Sequence, residues 1–582
     1  MNLTILLLFG ISAAVAPFNK KAGYIAIIIS SAVAIMLNII SFQVTSLFFV
    51  ISGLVWSVSS WYSLKYDTYG KWLPVTFSVS VFGMVLILLS SNYLQFIAGW
   101  EVMSLGGYAV IGLNSKTARP AFLFSSFSEL STVFIIAGFV YAYSITGSLN
   151  FGILGTDVPL ILTSIGFLMK MGLFPFMLSE WLPISHGSAP ANSSAILSAT
   201  MTLMGVYGLL KMSLLSPYSV PFGMILMGIG AFAVFFGALF AYTSEDTKML
   251  PGFSTIENNG GILVALGLLA ATTSQFERGF LISVVILFAL SHSISKTGLF
   301  MISGSSREKT FTQNVGTKNF PTEVGGILVA LSLSGLLPTV GGVAVWMLLE
   351  SLFMQSIQFQ ILGIFSIAIG SLVALGEGLA SGAMIKFLSF TQLLKGKGKG
   401  VSGLSYPVLA TGAFVLLFGI VSTVLIDRSF VSGNSAVGIP YGFMIVSSIT
   451  QGSVFGLISP VFVIVLLVIF STFSVVAFGR PRVRKVDIWN GGVPLDSKYT
   501  SFAYSNNIRK MLKKILIPFG TEVEREDGVR NIFWEVILSI GKLYRSLARS
   551  LTYRIMNSSM TWYIIYIIAA FILALILGIA FY

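Results

Sequence analysis

The sequence predicts an all-α, polytopic membrane protein of about sixteen transmembrane helices, and three observations carry that expectation. Of the 582 residues 55% are hydrophobic and only 9% are charged, with a mean hydropathy of +0.91, a balance that soluble domains of this size do not show. Apolar runs of about 20 residues, long enough to cross a bilayer as a helix, recur along the chain. The loops between them alternate between basic and nearly uncharged, the pattern of cytoplasmic and external loops.

Composition also narrows the chemistry. Without cysteine, the chain forms no disulfide and offers no thiolate to a metal or an iron–sulfur cluster. Two histidines argue against a dedicated metal site. No usable dinucleotide fingerprint or CxxC cluster occurs, so no cofactor is expected in this chain. The net charge of +13 reads as basic cytoplasmic loops, with no nucleic acid partner implied.

The first run, near 2–18, has Lys20 and Lys21 after it instead of a charge before it. That argues for a transmembrane helix with an outside N-terminus and against a cleaved signal. Further apolar segments lie near 22–41, 43–63, 73–90, 92–112, 119–145, 158–180, 191–214, 221–243, 255–274, 279–303, 323–357, 361–390, 405–427, 455–478 and 560–582. Taking 323–357 as one broken helix gives sixteen spans. The charges at Lys65, Lys71, Lys116, Arg119, Lys248, Arg307, Lys309, Lys318, Lys395, Lys397 and Lys399 then fall on one side, with the 479–559 segment. Both termini lie outside, in what is expected to be the plasma membrane. The glycine- and serine-rich 441–456 reads as a loop or re-entrant piece. Within 479–559, Lys542, Arg545, Arg549 and Arg554 stand among Ile, Leu and Tyr. That suits an amphipathic helix along the cytoplasmic interface, the alternative being a solvated connector.

This organisation divides into N-terminal helices (1–70), a first repeat (71–214), a second, inverted repeat (215–400) and C-terminal core helices (401–478). A basic cytoplasmic segment (479–559) and a last transmembrane helix (560–582) follow. The inversion comes from two broken segments, 158–214 and 323–357, five spans apart. Interrupted helices at corresponding positions point to a binding site where inverted repeats meet.

Ionisable residues inside apolar runs are the candidate site. The stretch after Lys170 is broken by Pro175, Pro183 and Pro190 and passes Glu180 and His186, while Pro338 breaks the second segment. Bare backbone at membrane depth needs protein or a water-filled cavity around it, and charges there mark ion paths. The alternative is a surface loop with Lys170 snorkelling to the interface. Glu101 sits mid-span, so it must be protonated, paired or facing water. His292 and Lys296 are one helical turn apart on one face. Such a histidine can shuttle protons and such a lysine can store one, though a lone histidine fits a packed core equally well. Glu245 and Asp246, beside Lys248, read as part of a solvated mixed-charge loop. Glu350 follows the second break and is open to an interfacial role. Glu377 and Lys386 are nine residues apart, so a straight helix turns them to opposite sides.

Several motifs resemble one family. Pro183-Ile-Ser-His186-Gly-Ser-Ala-Pro190 with Ser194-Ala195-Ile-Leu-Ser198 is similar to the signature of antiporter-type membrane subunits. These occur in respiratory complex I, multisubunit cation/proton antiporters and membrane-bound energy-converting hydrogenases. The segment Trp100-Glu101-x-Met103-Ser104-Leu105 resembles the family's WExMSL element. Asp246, Lys248, Phe253, Ser254, Glu257 and Asn258 match another, and His292-x-x-x-Lys296 a third. The nearest branch is the hydrogenase-4/formate hydrogenlyase large membrane subunit, over about 70–480.

The resemblance implies five-helix repeats over spans 4–8 and 9–13, and a proton path. Protons would enter at a Glu101–Lys170 pair, pass Lys248, treated as the central-axis lysine, then His292 and Lys296, and leave near Glu350. Lys386 is similar to a hydrogenase-branch lysine, and His186 and Glu257 are secondary candidates. It implies redox-driven proton translocation beside other membrane subunits and peripheral redox subunits. A subunit of a gradient-driven Na+/H+ antiporter and a membrane anchor that does not pump are the alternatives. Met177, Leu203 and Val345 stand where the family commonly has ionisable residues, and Asn490 where a Cys is usual.

Overall fold

The computed structural model describes residues 2–39, 43–66, 69–174, 181–305, 310–311, 319–357, 361–393, 404–430, 445–447, 456–479, 501–512 and 532–555, with Ile565 and Ile568. The described residues fall into two units, a large one up to Leu512 and a small one that holds those from 532 onward.

The apolar runs fold as helices nearly where the sequence places them. In the large unit these are α1 (Asn2–Val15), α2 (Lys20–Asn38), α3 (Val44–Ser63), α4 (Trp72–Leu89), α5 (Tyr93–Ile111), α6 (Ala118–Thr146), α7 (Val158–Lys170), α8 (Trp181–Ser188), α9 (Ala191–Ile196) and α10 (Thr202–Leu215). There follow α11 (Val220–Thr243), α12 (Met249–Ala271), α13 (Gln275–Ser305), α14 (Phe320–Leu333), α15 (Val340–Ser356), α16 (Ile361–Leu388), α17 (Ser405–Phe430), α18 (Pro460–Phe478) and α19 (Phe502–Met511). The small unit holds α20 (Ile532–Ile555). Among the described residues, twelve helices are long and apolar enough to cross a membrane, and Leu3–Val15, α7, α14 and α15 are shorter apolar helices. Polar side chains mark the starts: Asn92 accepts from Gln95 N at 2.9 Å at the head of α5, satisfying a donor the first turn would leave bare.

Both expected interruptions are present, and one device ends both half-helices. After α7, Gly172 adopts φ +75, and after α14, Gly335 adopts φ +62. Leu173 N donates to Leu168 O at 2.8 Å and Gly172 N to Met169 O at 3.1 Å; Leu336 N donates to Leu331 O at 3.0 Å and Gly335 N to Ser332 O at 3.2 Å. Each is a glycine-closed Schellman cap, which satisfies terminal carbonyls that have no helical partner. The same four-residue pattern, Gly-Leu-x-Pro, stands at 172–175 and 335–338.

Close helix approach sets the bundle where the sequence supplies glycine. A Cβ on Gly230 would lie 2.6 Å from Gly260 O, and one on Gly260 equally close to Gly230 O. The α11–α12 backbones therefore touch directly, as small residues permit between membrane helices.

Three expectations are corrected. Pro183 is not a break: it lies in the first turn of α8, where a missing N–H costs little. Pro190 does separate α8 from α9, whereas Pro175, Met177 and Glu180 lie outside the described residues. The segment expected at 255–274 begins at Met249, because Asp246 caps it. The 441–456 stretch contributes to a small antiparallel pair, Ile445–Ser447 with Gly456–Ile458, within an otherwise helical chain. In the small unit α20 is helical, with Lys542, Arg545 and Arg549 spaced along one side. Most of 560–582 lies outside the described residues.

Candidate functional site

Lys170 is the last residue of α7 and is 1% exposed, held there by the Schellman turn that follows it. Its Nζ donates to Ser104 Oγ on α5 at 2.8 Å and to Ser128 Oγ on α6 at 2.9 Å. The Trp100 and Phe124 rings lie 5.5 and 4.9 Å from the ammonium, a favourable setting for a desolvated cation. The snorkelling alternative is therefore excluded. Glu101, half-buried on α5, accepts from Thr132 Oγ1 at 2.6 Å. Thr132 also reaches Ser128 O at 3.1 Å. The expected direct Glu101–Lys170 pair is thus not formed: Lys170 ends on the Ser104 and Ser128 hydroxyls and Glu101 on the Thr132 hydroxyl, within electrostatic reach of each other. Glu129, next to Ser128 on α6, also lies within electrostatic reach of Lys170. It is a single acid in the 119–145 run, which is the signal that could have found it.

A second centre forms between α12, α13 and α16. Lys296 is fully buried, and its Nζ donates to Ser254 Oγ at 2.5 Å. Ser254 Oγ donates to Glu257 Oε2 at 3.1 Å, and Asn258 Nδ2 donates to the same oxygen. Glu377 enters from α16 within electrostatic reach of Lys296 and Glu257. Its Oε1 has no hydrogen-bond partner among the described residues. The neighbouring Asn259 Nδ2 donates to Met171 O at 2.8 Å, which ties α12 to the end of α7 beside Lys170.

His292 is fully buried on α13 and its Nε2 lies 3.2 Å from Ser198 O. Ser293 Oγ donates to Ala199 O at 2.7 Å. Both carbonyls belong to a π-helical turn, Leu197–Met201, inside the helix that joins α9 to α10. Such a turn frees carbonyls from the helical ladder, and here α13 uses them. His186 on α8 is 3% exposed, packs on Phe300 with centroids 5.5 Å apart, and lies within reach of Lys296.

The remaining candidates separate from these centres. Lys386 Nζ donates to Glu245 Oε1 at 2.8 Å, Ser244 O at 2.6 Å and Tyr242 O at 3.1 Å. Glu245 is fully buried and also receives Ser501 Oγ and Arg509 Nη2. The expected solvated loop is thus overturned for Glu245: the α11–α12 link is short and closed over by α16 and α19. Asp246 Oδ1 accepts from Lys248 N at 2.7 Å and Met249 N at 2.9 Å. Lys248 stands at the N-terminus of α12, outside the buried axis, where its Nζ donates to Ala189 O at 2.9 Å. Glu350 is half-buried on α15. Near that helix's end, Gln355 Nε2 donates to Glu277 Oε2 at 2.8 Å, an acid that sequence reading passed over. Leu203 is buried, and Val345 packs at Gly335.

Lys170, at the end of a glycine-capped half-helix, and Lys296 are thus both buried, with hydroxyls as hydrogen-bond partners and carboxylates within electrostatic reach. Residues 90–370 match the family described as NADH:quinone oxidoreductase/Mrp antiporter, TM, so that stretch belongs to it and the resemblance read from the motifs is borne out. Hydrogenase-4 component B of Escherichia coli (strain K12) is 31% identical over 376 residues, 59% of this chain and 55% of that protein. NADH-quinone oxidoreductase subunit N of Desulforudis audaxviator is 29% identical over 271 residues, 43% of this chain and 52% of that protein. The chain thus spans about half the length of the curated relatives it matches. A chain of the membrane-bound sulfane sulfur reductase, an archaeal respiratory membrane complex, superposes with TM-score 0.80 at 20% identity, over 99% of each chain. A chain of the Mrp complex from Dietzia sp. DQ12-45-1b gives TM-score 0.61 at 15% identity, over 73% of this chain and 94% of that one. These two likenesses establish the fold.

Proposed function

We propose that this chain is a proton-translocating membrane subunit of a redox-driven respiratory or hydrogenase-type complex in the plasma membrane. Electron transfer and its cofactors belong to partner subunits, both membrane-bound and peripheral. The observation that carries the reading is the buried Lys296–Ser254–Glu257 cluster, with Glu377, His292 and His186 around it. Ionisable groups this deep in an apolar bundle are expensive and persist where they move charge. Lys170, with Glu101 and Glu129, forms a corresponding centre in the first half of the chain, and Asn259 links the two. A proton is stored at each lysine and passed between centres as their charge states change, with residues 71–214 and 215–400 serving as two half-channels. Glu350 and Glu277 lie on the helices that lead away from the second centre.

The test uses the native complex, purified from membranes and sealed into vesicles with a pH-sensitive dye. Acidification driven by an electron donor, without added Na+, is the expected result. Acidification driven only by an imposed Na+ gradient would replace this reading with a gradient-driven antiporter. Absence of both in an intact, electron-transferring complex would leave a membrane anchor.

A further inference from the structure

We propose that Ser254 is a proton-relay residue between Lys296 and Glu257. This rests on the proton-translocating reading above and adds the group through which the transfer runs. Serine hydroxyls on membrane helices usually donate to a carbonyl of their own helix, as Ser63 does to Ser59 O and Ser164 to Leu160 O. Ser254 instead donates to a carboxylate, Glu257 Oε2, at 3.1 Å while accepting from Lys296 Nζ at 2.5 Å. All three side chains are 1% exposed or less, so bulk water does not make the connection.

A hydroxyl can give one proton and accept another at the same time. An N–H bond of the Lys296 ammonium breaks as an O–H bond forms on Ser254. The original Ser254 O–H bond breaks as an O–H bond forms on Glu257. The products are a neutral amine, an unchanged serine and a neutral acid, so no isolated charge is left in the apolar interior, where it would be costly. The spacer also matters electrostatically. Coulomb attraction falls with distance, so a lysine held one hydroxyl away from its acid is less tightly locked in the charged state.

The experiment places Ser254→Ala, Ser254→Cys, Ser254→Thr and Lys296→Ala complexes in vesicles and measures donor-driven acidification beside electron transfer. Alanine removes the hydroxyl, and cysteine keeps its place with a poor proton donor. Both are expected to lower acidification at least about a hundredfold, the low end of what a positioned proton-transfer group contributes. Threonine, which keeps the hydroxyl, should hold acidification within about twofold of the parent. Parent-level acidification in the alanine or cysteine variant, with Lys296→Ala inactive, overturns the relay and leaves the pumping reading standing. Parent-level acidification in Lys296→Ala overturns both.

Discussion

A cation buried in an apolar bundle must be neutralised, hydrogen-bonded or deprotonated, and the three lysines buried among the described residues meet that demand in two ways. Lys170 and Lys296 reach hydroxyls first, with acids beyond. Lys386 contacts Glu245 directly at 2.8 Å, and neither side chain is exposed. That makes Lys386–Glu245 a structural pair. Breaking a buried pair strands a charge at a cost of about 3–5 kcal/mol. Glu245→Ala should therefore lower the thermal midpoint of the detergent-solubilised complex clearly, and Glu245→Gln with Lys386→Met should recover most of the loss. An unchanged midpoint in the single variant would show the pair to be dispensable. Much at this scale was legible: Glu101, Lys170, His292 and Lys296 stand out because each interrupts an apolar run. Glu245 was misjudged because a run of Ser, Glu, Asp and Thr looks solvated. Its burial comes from Ser501 and Arg509, more than 250 residues later, which no local pattern announces.

Lys170 occupies its place because a helix stops there. The two Schellman caps close α7 and α14 with identical hydrogen-bond patterns, and both glycines sit at positive φ. A side chain in that conformation costs about 1–2 kcal/mol. At Gly172 an added Cβ would also lie 2.6 Å from the Leu182 side chain, whereas at Gly335 the nearest atom is Val345 Cγ2 at 3.2 Å. Gly172→Ala should therefore destabilise the protein more than Gly335→Ala, and Gly335→Asn least, as read by thermal unfolding. Equal stability of all three would contradict the caps as described. The breaks were visible in sequence through proline, yet proline alone misplaced one of them, at Pro183. The repeated Gly-Leu-x-Pro is the better signal, because it encodes both the left-handed cap and the stop. The π turn at Leu197–Met201 left no such mark, since its residues suit an α-helix equally well.

Across the whole molecule, two links join parts far apart in sequence. Asn259 on α12 donates to the carbonyl of Met171 at the first break, so the two charged centres share a fixed structural contact. Asn259→Leu would leave that carbonyl unsatisfied, and should weaken pumping while the helices still assemble; parent-level acidification would show the link to be unnecessary. The second link is α19, whose Arg509 donates to Thr243 O and Glu245 at the C-terminal end of α11. Hydropathy and loop charge were enough to place nearly every helix, because the bilayer demands long apolar stretches. They could not place α19 or the small strand pair of Ile445–Ser447 with Gly456–Ile458, which tertiary contact decides. The central claim is that buried lysines in the two halves carry the translocated proton. Donor-driven acidification should be measured in vesicles holding fully assembled Lys170→Ala and Lys296→Ala complexes, with electron transfer followed in the same preparation. The account predicts that either variant retains assembly and loses acidification. Parent-level acidification per electron in both variants would contradict it.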